Sequence, residues 1–213
     1  MLSVALLLLG GLQLACVFLL RGAGPPRWCL ALVGLGLAYD SIVFGAGAAL
    51  GTGEPLHALS VGRFVAHALL TPLLLLWAAR QVFHWRWRWA WALTGALIAW
   101  GVFADLVHLD LVPKHYAGTL RYAHAAPAGP PIPALVVSVV LLAAGILLWR
   151  RERWPWLALA TVVLLFASAA AFAVPPLGNL GEAVLFAALV AATRRLAGQS
   201  PSSSWASVRV GGS

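Results

Sequence analysis

Seven apolar stretches divide this chain, and proline, glycine or charged residues separate them. A helix needs about 20 mostly apolar residues to cross the hydrocarbon core of a bilayer. The predicted spans cover roughly residues 2–20, 29–50, 58–79, 89–108, 132–149, 155–174 and 177–193. The weakest boundary is Pro175-Pro176, a turn with almost no loop between the last two. The pattern predicts an all-α fold: a polytopic integral membrane protein with seven transmembrane helices.

Composition agrees with this prediction. The chain is 62% hydrophobic and 9% charged, whereas a soluble domain is about half apolar and about a quarter charged. Residues 1–196 are predicted to form one transmembrane domain, with an uncleaved first span because no basic segment precedes it. The Ser-rich residues 197–213 are predicted to be a disordered cytoplasmic tail. Cys16 and Cys29 lie near opposite ends of their spans, which argues against a disulfide framework or a cysteine metal site.

The basic residues predict an orientation. Eleven of the fourteen Lys and Arg residues fall in loops one, three and five and in the tail, while loops two, four and six carry only Lys114 and Arg121. Cytoplasmic loops are enriched in Lys and Arg. We therefore expect the N-terminus outside, the C-terminus inside, and a cytoplasmic-type membrane, inner or plasma.

Tryptophan and arginine alternate from Trp85 to Trp91. Stacking on nucleic acid is one interpretation, but an aromatic belt at the membrane interface with Arg at the headgroups is favoured. The expected partners are membrane lipid and a lipid-like or small-molecule ligand, and not nucleic acid. The sequence does not indicate an oligomeric state.

A few ionisable residues fall inside the predicted spans, where each costs about 2.5–3.5 kcal/mol at the centre of the bilayer and therefore requires a partner or a purpose. They are Asp40, Arg63, His67, Asp105, His108 and Glu182. The predicted topology places all of them in the outer half of the membrane. Helical spacing aligns Arg63, His67 and Thr71 in one stripe, and pairs Asp105 with His108 and Asn179 with Glu182. We expect a polar cluster that faces into the bundle.

Three interpretations of this cluster stay open. The first is a metal site in which His67, Asp105 and His108 bind a divalent metal such as zinc, because imidazole and carboxylate suit that ion. The second is a metal-free substrate or proton site. For a functional site with or without metal, the predicted catalytic residues are His67, Glu182 and Asp40, and the predicted substrate-binding residues are Arg63, Tyr39, Ser41 and Asn179. The third is structural pairing, with Arg63 bound to Asp40 or Glu182.

The predicted functions follow from these interpretations. The first is a membrane-embedded hydrolase or transferase acting on a lipid or amphipathic substrate, with metal dependence left open. The alternatives are a proton-coupled small-solute transporter and a non-catalytic assembly or sensory protein. The long fourth loop, roughly Leu109–Pro131, suits either a lid or a plain connector. Gly47 and Gly51 have the spacing that permits close helix–helix approach.

Seven spans with an outer polar cluster superficially resemble the alkaline ceramidase and adiponectin-receptor superfamily of membrane hydrolases. That family has a histidine pair in its last span, where this chain has Asn179 and Glu182. The sequence therefore identifies no family.

Overall fold

The structure is a computed structural model that describes residues 1–21, 27–107, 109–125 and 131–199. This part of the chain forms α-helices, two of which continue as a π-helical turn, and one antiparallel hairpin. The helices are α1 (Leu2–Leu19), α2 (Arg27–Leu50), α3 (Glu54–Leu70), α4 (Leu73–Ala78), α5 (Trp87–Gly101), α6 (Ile132–Glu152), α7 (Trp156–Ala170) and α8 (Pro176–Gly198). The π-helical turns are Ala79–Phe83 after α4 and Val102–Leu106 after α5, and the strands are β1 (Leu111–Tyr116) and β2 (Thr119–His124).

Six helical runs within the described ranges are long and apolar enough to cross a membrane. They are Leu2–Leu19, Arg27–Leu50, Glu54–Phe83, Trp87–Leu106, Ile132–Glu152 and Pro176–Gly198. The sixth predicted span coincides with α7, which is apolar but has only 15 residues and is therefore about 22 Å long. The predicted helical architecture with several apolar, membrane-length helices is confirmed in this coarser form.

Prolines determine where several helices begin or break. Pro55, Pro133 and Pro176 lie in the first turns of α3, α6 and α8, where the missing N–H removes no hydrogen bond. Pro72 lies inside the third apolar run and divides it into α3 and α4. The break falls at Thr71, at the end of the predicted polar stripe.

Helix α2 is central to the bundle, since it contacts α1, α3, α4, α8 and β2. The main apolar core includes the fully buried Leu30, Trp77 and Phe186. A smaller cluster of Val43, Leu56 and Leu120 lies where the hairpin packs on α2 and α3. We call this the hairpin end of the bundle.

The fourth predicted loop is a folded β-hairpin. Residues Ala117 and Gly118 have φ values of 43° and 80°, the positive values of a two-residue type I′ turn. Strand β2 approaches α2 so closely that a Cβ on Gly47 would lie 1.8 Å from the Leu120 carbonyl oxygen. The close approach at Gly47 is thus made by a strand and not by a helix, and Gly51 instead follows the end of α2 with a φ of 72°.

Candidate functional site

An ion pair between α2 and α3 forms the centre of the site. Arg63 Nε donates to Asp40 Oδ1 over 2.6 Å, and the two residues are 9% and 24% exposed. Asn179 of α8 donates its amide to the other Asp40 oxygen, Oδ2, and to Ser41 Oγ at 3.3 Å. Three helices are therefore joined through one carboxylate. Both oxygens of Asp40 are occupied by protein donors.

His67 and Glu182 lie one helical turn beyond this ion pair. His67 follows Arg63 at i+4 on α3, so the two share a face of that helix. Glu182 follows Asn179 at i+3 on α8 and shares a face with it, so His67 and Glu182 both lie next to the ion-pair network. Neither side chain has a hydrogen bond to another protein group within the described ranges. Both oxygens of Asp40 accept hydrogen bonds from the protein. Among the described residues of the site, His67 and Glu182 are therefore the acid–base groups that can act on a ligand.

Two adjoining cavities meet at these residues. The smaller has a volume of about 20 Å³, enough for a single water molecule, and its polar lining consists of Asp40, Arg63, His67, Thr71 and Glu182. We call it the polar chamber. The larger, which we call the apolar cavity, has a volume of about 190 Å³. Its polar lining includes His67, Thr71 and Glu182, which therefore form the boundary between the two spaces.

The apolar cavity lies among α2, α3, α4, α6, α7 and α8. Most of its lining is aliphatic or aromatic, with Val137 and Leu141 from α6, Leu164 from α7 and Phe186 from α8. Away from the boundary, Ser138 and Ser168 are its polar side chains. Such a lining suits a hydrocarbon chain, because the chain has no polar groups that would need hydrogen-bond partners in the cavity wall.

The other predicted site residues take different positions. Ser41 is buried beneath Asn179 and supports it. The Tyr39 hydroxyl donates to the Leu59 carbonyl oxygen over 2.8 Å, and Tyr39 lines neither cavity. Asp105 lies in the π-helical turn after α5. Its charge acts on His67, but its side chain does not line the polar chamber.

The predicted metal set extends beyond the described residues, because His108 lies outside them. Among the residues that are described, no three His, Cys, Asp or Glu side chains form a group that would hold a metal ion. The set of His67, Asp105 and His108 therefore stays a prediction.

Arg121 of β2 is the residue that sequence reasoning missed. Its guanidinium carbon lies 4.8 Å from the centroid of the Phe44 ring, and that of Arg63 lies 5.6 Å from the same centroid. Burial and the positive charge of Arg63 lower the pKa of Arg121, Asp40 opposes both, and the resulting pKa is about 10. Arg121 therefore stays protonated at neutral pH. The sequence signal for this strand is weak, because the Ala117-Gly118 pair is not one of the dipeptides that usually mark a two-residue hairpin turn.

The chain was compared with protein-family models, with curated proteins and with solved structures. None of these comparisons gave a significant match.

Proposed function

We propose that the chain spans a cytoplasmic-type membrane seven times, with its N-terminus outside and its C-terminus inside. The contacts at the two ends of the bundle support this arrangement. At the hairpin end, Ser3 Oγ donates to the Gly118 carbonyl oxygen, so the start of α1 lies beside the hairpin. At the opposite end, Arg194 donates to the Leu19 carbonyl oxygen and Arg151 to that of Val82. The arginine-rich helix ends thus lie away from the hairpin, as the positive-inside rule requires.

The protein is a membrane-embedded hydrolase or transferase that acts on a lipid or another amphipathic substrate. The observation that carries this proposal is the junction of the polar chamber with the apolar cavity at His67, Thr71 and Glu182. A molecule with a polar head and a hydrocarbon tail matches both spaces at once. A small polar solute would leave the apolar cavity unfilled.

The residues have separate roles in this reaction. His67 and Glu182 lie at the boundary, where the scissile or accepting group of an amphiphile would lie, and act as general base and acid. Arg63 attracts the polar head, while Asp40 holds its guanidinium in place. Asn179 and Ser41 fix the orientation of Asp40.

The test is turnover of a mixed lipid extract by detergent-purified protein, followed by mass spectrometry. We expect His67→Ala and Glu182→Gln to lower turnover by about 100-fold or more, the usual contribution of a positioned general acid or base. Ser138→Phe would fill the apolar cavity and also lower turnover. Val139→Phe is the matched control, because Val139 is 65% exposed on the same helix and lines neither cavity. Unchanged turnover in both His67→Ala and Glu182→Gln would contradict the proposal.

A proton-coupled carrier is the second candidate, and the helix break at Thr71-Pro72 favours it. Transporters commonly place their binding sites at interrupted helices, and this break lies on the wall of both cavities. The carrier predicts proton-dependent uptake of a small solute into proteoliposomes that is lost in Glu182→Gln and Asp40→Asn. Uptake that persists in both variants would exclude this mechanism.

A further inference from the structure

The hairpin places two cations side by side. The register of its strands pairs Lys114 of β1 directly with Arg121 of β2. Directly opposed residues in an antiparallel pair project from the same face with Cβ atoms about 4.5–5.5 Å apart, and like charges in such positions destabilise the pair. These two are also the only Lys or Arg residues in loops two, four and six. Lys114 is exposed and Arg121 is half-buried, so an anion bound between them would offset the repulsion.

Arg63, which is paired with Asp40, lies near Arg121 on the same aromatic ring. Both guanidinium groups contact the fully buried Phe44 ring, and the two distances to its centroid place Arg63 and Arg121 within about 10 Å of one another. Asp40 is the carboxylate that faces them, and its oxygens are already bound by Arg63 and Asn179. In the described part of the chain, no carboxylate lies within 4 Å of Arg121 or Lys114. A half-buried guanidinium without a paired anion is unfavourable in a membrane protein.

The site is rigid, because the hairpin is bound to the bundle on both sides of Arg121. Leu120 is buried against Val43 and Leu56, and the backbone N–H of Tyr122 donates to Ser60 Oγ at 3.4 Å. The Tyr122 ring also makes an edge contact with His57 at 5.1 Å between centroids. The backbone at Arg121 is therefore fixed before any ligand binds, and its guanidinium group lies against the Phe44 ring.

We propose that Lys114 and Arg121, with Arg63 near Arg121 on the Phe44 ring, form a binding site for an oxyanion, a phosphate or a carboxylate. The planar guanidinium fork matches the paired oxygens of these groups, and the lysine supplies a second charge. The inference rests on the proposed function in one respect: it assigns the polar head of the amphipathic substrate to the anionic class. The same chemistry would also bind a free anion, and the experiment distinguishes the two sources.

The experiment measures binding to purified protein in a neutral maltoside detergent by isothermal titration calorimetry. The probes are dodecyl phosphate, dodecylphosphocholine with the same chain but no net charge, and inorganic phosphate. The variants are Arg121→Gln, Lys114→Gln and the charge-preserving Arg121→Lys. Arg88→Gln is the matched control, because Arg88 also lies over an aromatic ring, that of Trp89 at 5.4 Å, but far from the hairpin in sequence. Size-exclusion profiles and melting temperatures establish that each variant is folded.

We expect dodecyl phosphate to bind more tightly than dodecylphosphocholine. Arg121→Gln should weaken the binding of dodecyl phosphate by about tenfold, Lys114→Gln by about threefold and Arg88→Gln not measurably, as loss of a charge-assisted contact implies. Arg121→Lys should retain part of the affinity because its charge is kept. If inorganic phosphate binds with the same dependence on Arg121, the site is a free-anion site. If dodecyl phosphate binds and inorganic phosphate does not, the site recognises a lipid headgroup.

Three results would each overturn the anion site. They are equal affinity for dodecyl phosphate and dodecylphosphocholine, no binding of dodecyl phosphate or inorganic phosphate, and an unchanged affinity for dodecyl phosphate in Arg121→Gln. A different variant, Ser138→Phe, tests the proposed function independently of the anion site. If Ser138→Phe leaves dodecyl phosphate binding intact while Arg121→Gln abolishes it, the anion site stands and the apolar cavity is not where the tail lies. If only Ser138→Phe weakens binding, the tail site stands and the anion site is wrong.

Discussion

At the residue scale, one carboxylate organises the site. Asp40 accepts from Arg63 on α3 and from Asn179 on α8, and Asn179 also contacts Ser41. Burying such a pair gives little net stability, but removing one partner leaves an uncompensated charge in a low-dielectric interior. The same network therefore positions Arg63 and makes the bundle sensitive to its loss.

The ion pair gives the first stability prediction. Arg63→Ala should lower the free energy of unfolding by about 3 kcal/mol, the lower end of the range for a broken buried pair, since Asp40 keeps some exposure. The double variant Arg63→Ala with Asp40→Asn should recover part of this loss, because the orphaned charge is removed. The measurement is the melting temperature of detergent-purified protein. Equal melting of all three proteins would mean that the pair contributes nothing to stability. A non-catalytic assembly protein further predicts that no ligand raises the melting temperature.

The predicted metal set has its own test, elemental analysis of protein purified without chelator. The metal hypothesis expects stoichiometric zinc or iron in the wild-type protein and its loss in both His67→Ala and His108→Ala, since each removes one of three ligands. Asp105→Asn should also weaken retention. Folded wild-type protein without bound metal would leave His67 and Glu182 to act without it.

At the element scale, the hairpin depends on its fit against α2. Glycine at position 47 leaves the space that the Leu120 carbonyl oxygen occupies, so a side chain there must displace β2. Arg121 follows Leu120 directly and would move with it. The hairpin thus links a packing position on α2 to the proposed anion site.

A pair of glycine substitutions tests this link. Gly47→Ala should weaken dodecyl phosphate binding nearly as much as Arg121→Gln does, because it displaces the strand that carries the arginine. Gly95→Ala is the control: a Cβ there meets nothing within 4 Å, and alanine favours a helix by about 1 kcal/mol over glycine. Calorimetry gives the affinities, and circular dichroism shows whether the helices are retained. Wild-type affinity in Gly47→Ala would show that the contact with α2 does not position Arg121.

At the scale of the whole molecule, α7 decides the topology. Its 15 residues are fewer than a bilayer span usually requires, although α7 packs between α6 and α8 as a crossing helix would. If α7 crosses, the hairpin and the C-terminus lie on opposite sides of the membrane. If it does not, they lie on the same side.

Cysteine labelling distinguishes these cases. His115→Cys on the exposed side of the hairpin should react with a membrane-impermeant maleimide in intact cells, whereas Ser203→Cys should react only after permeabilisation. The native Cys16 and Cys29 are buried and should give little background. Reaction of both introduced cysteines in intact cells would reduce the count to six spans.

The sequence by itself determined the apolar helices and which polar residues share a face of one helix. Apolar length predicts membrane helices because every backbone N–H and C=O must be satisfied within the hydrocarbon, and a helix does this locally. Spacing on one helix likewise predicts that Arg63 and His67, or Asn179 and Glu182, share a face. These inferences need only contacts between neighbours in sequence.

The tertiary structure alone decided which helices meet and what lies between them. The choice of Asp40 as the partner of Arg63, the junction of polar chamber and apolar cavity, and the place of Arg121 beside Phe44 all join residues far apart in the chain. Ala117 at a positive φ and Pro113 within β1 also obscure the hairpin, because neither residue is typical of its position. Contacts between distant segments depend on packing, and a single sequence does not record packing in any local pattern.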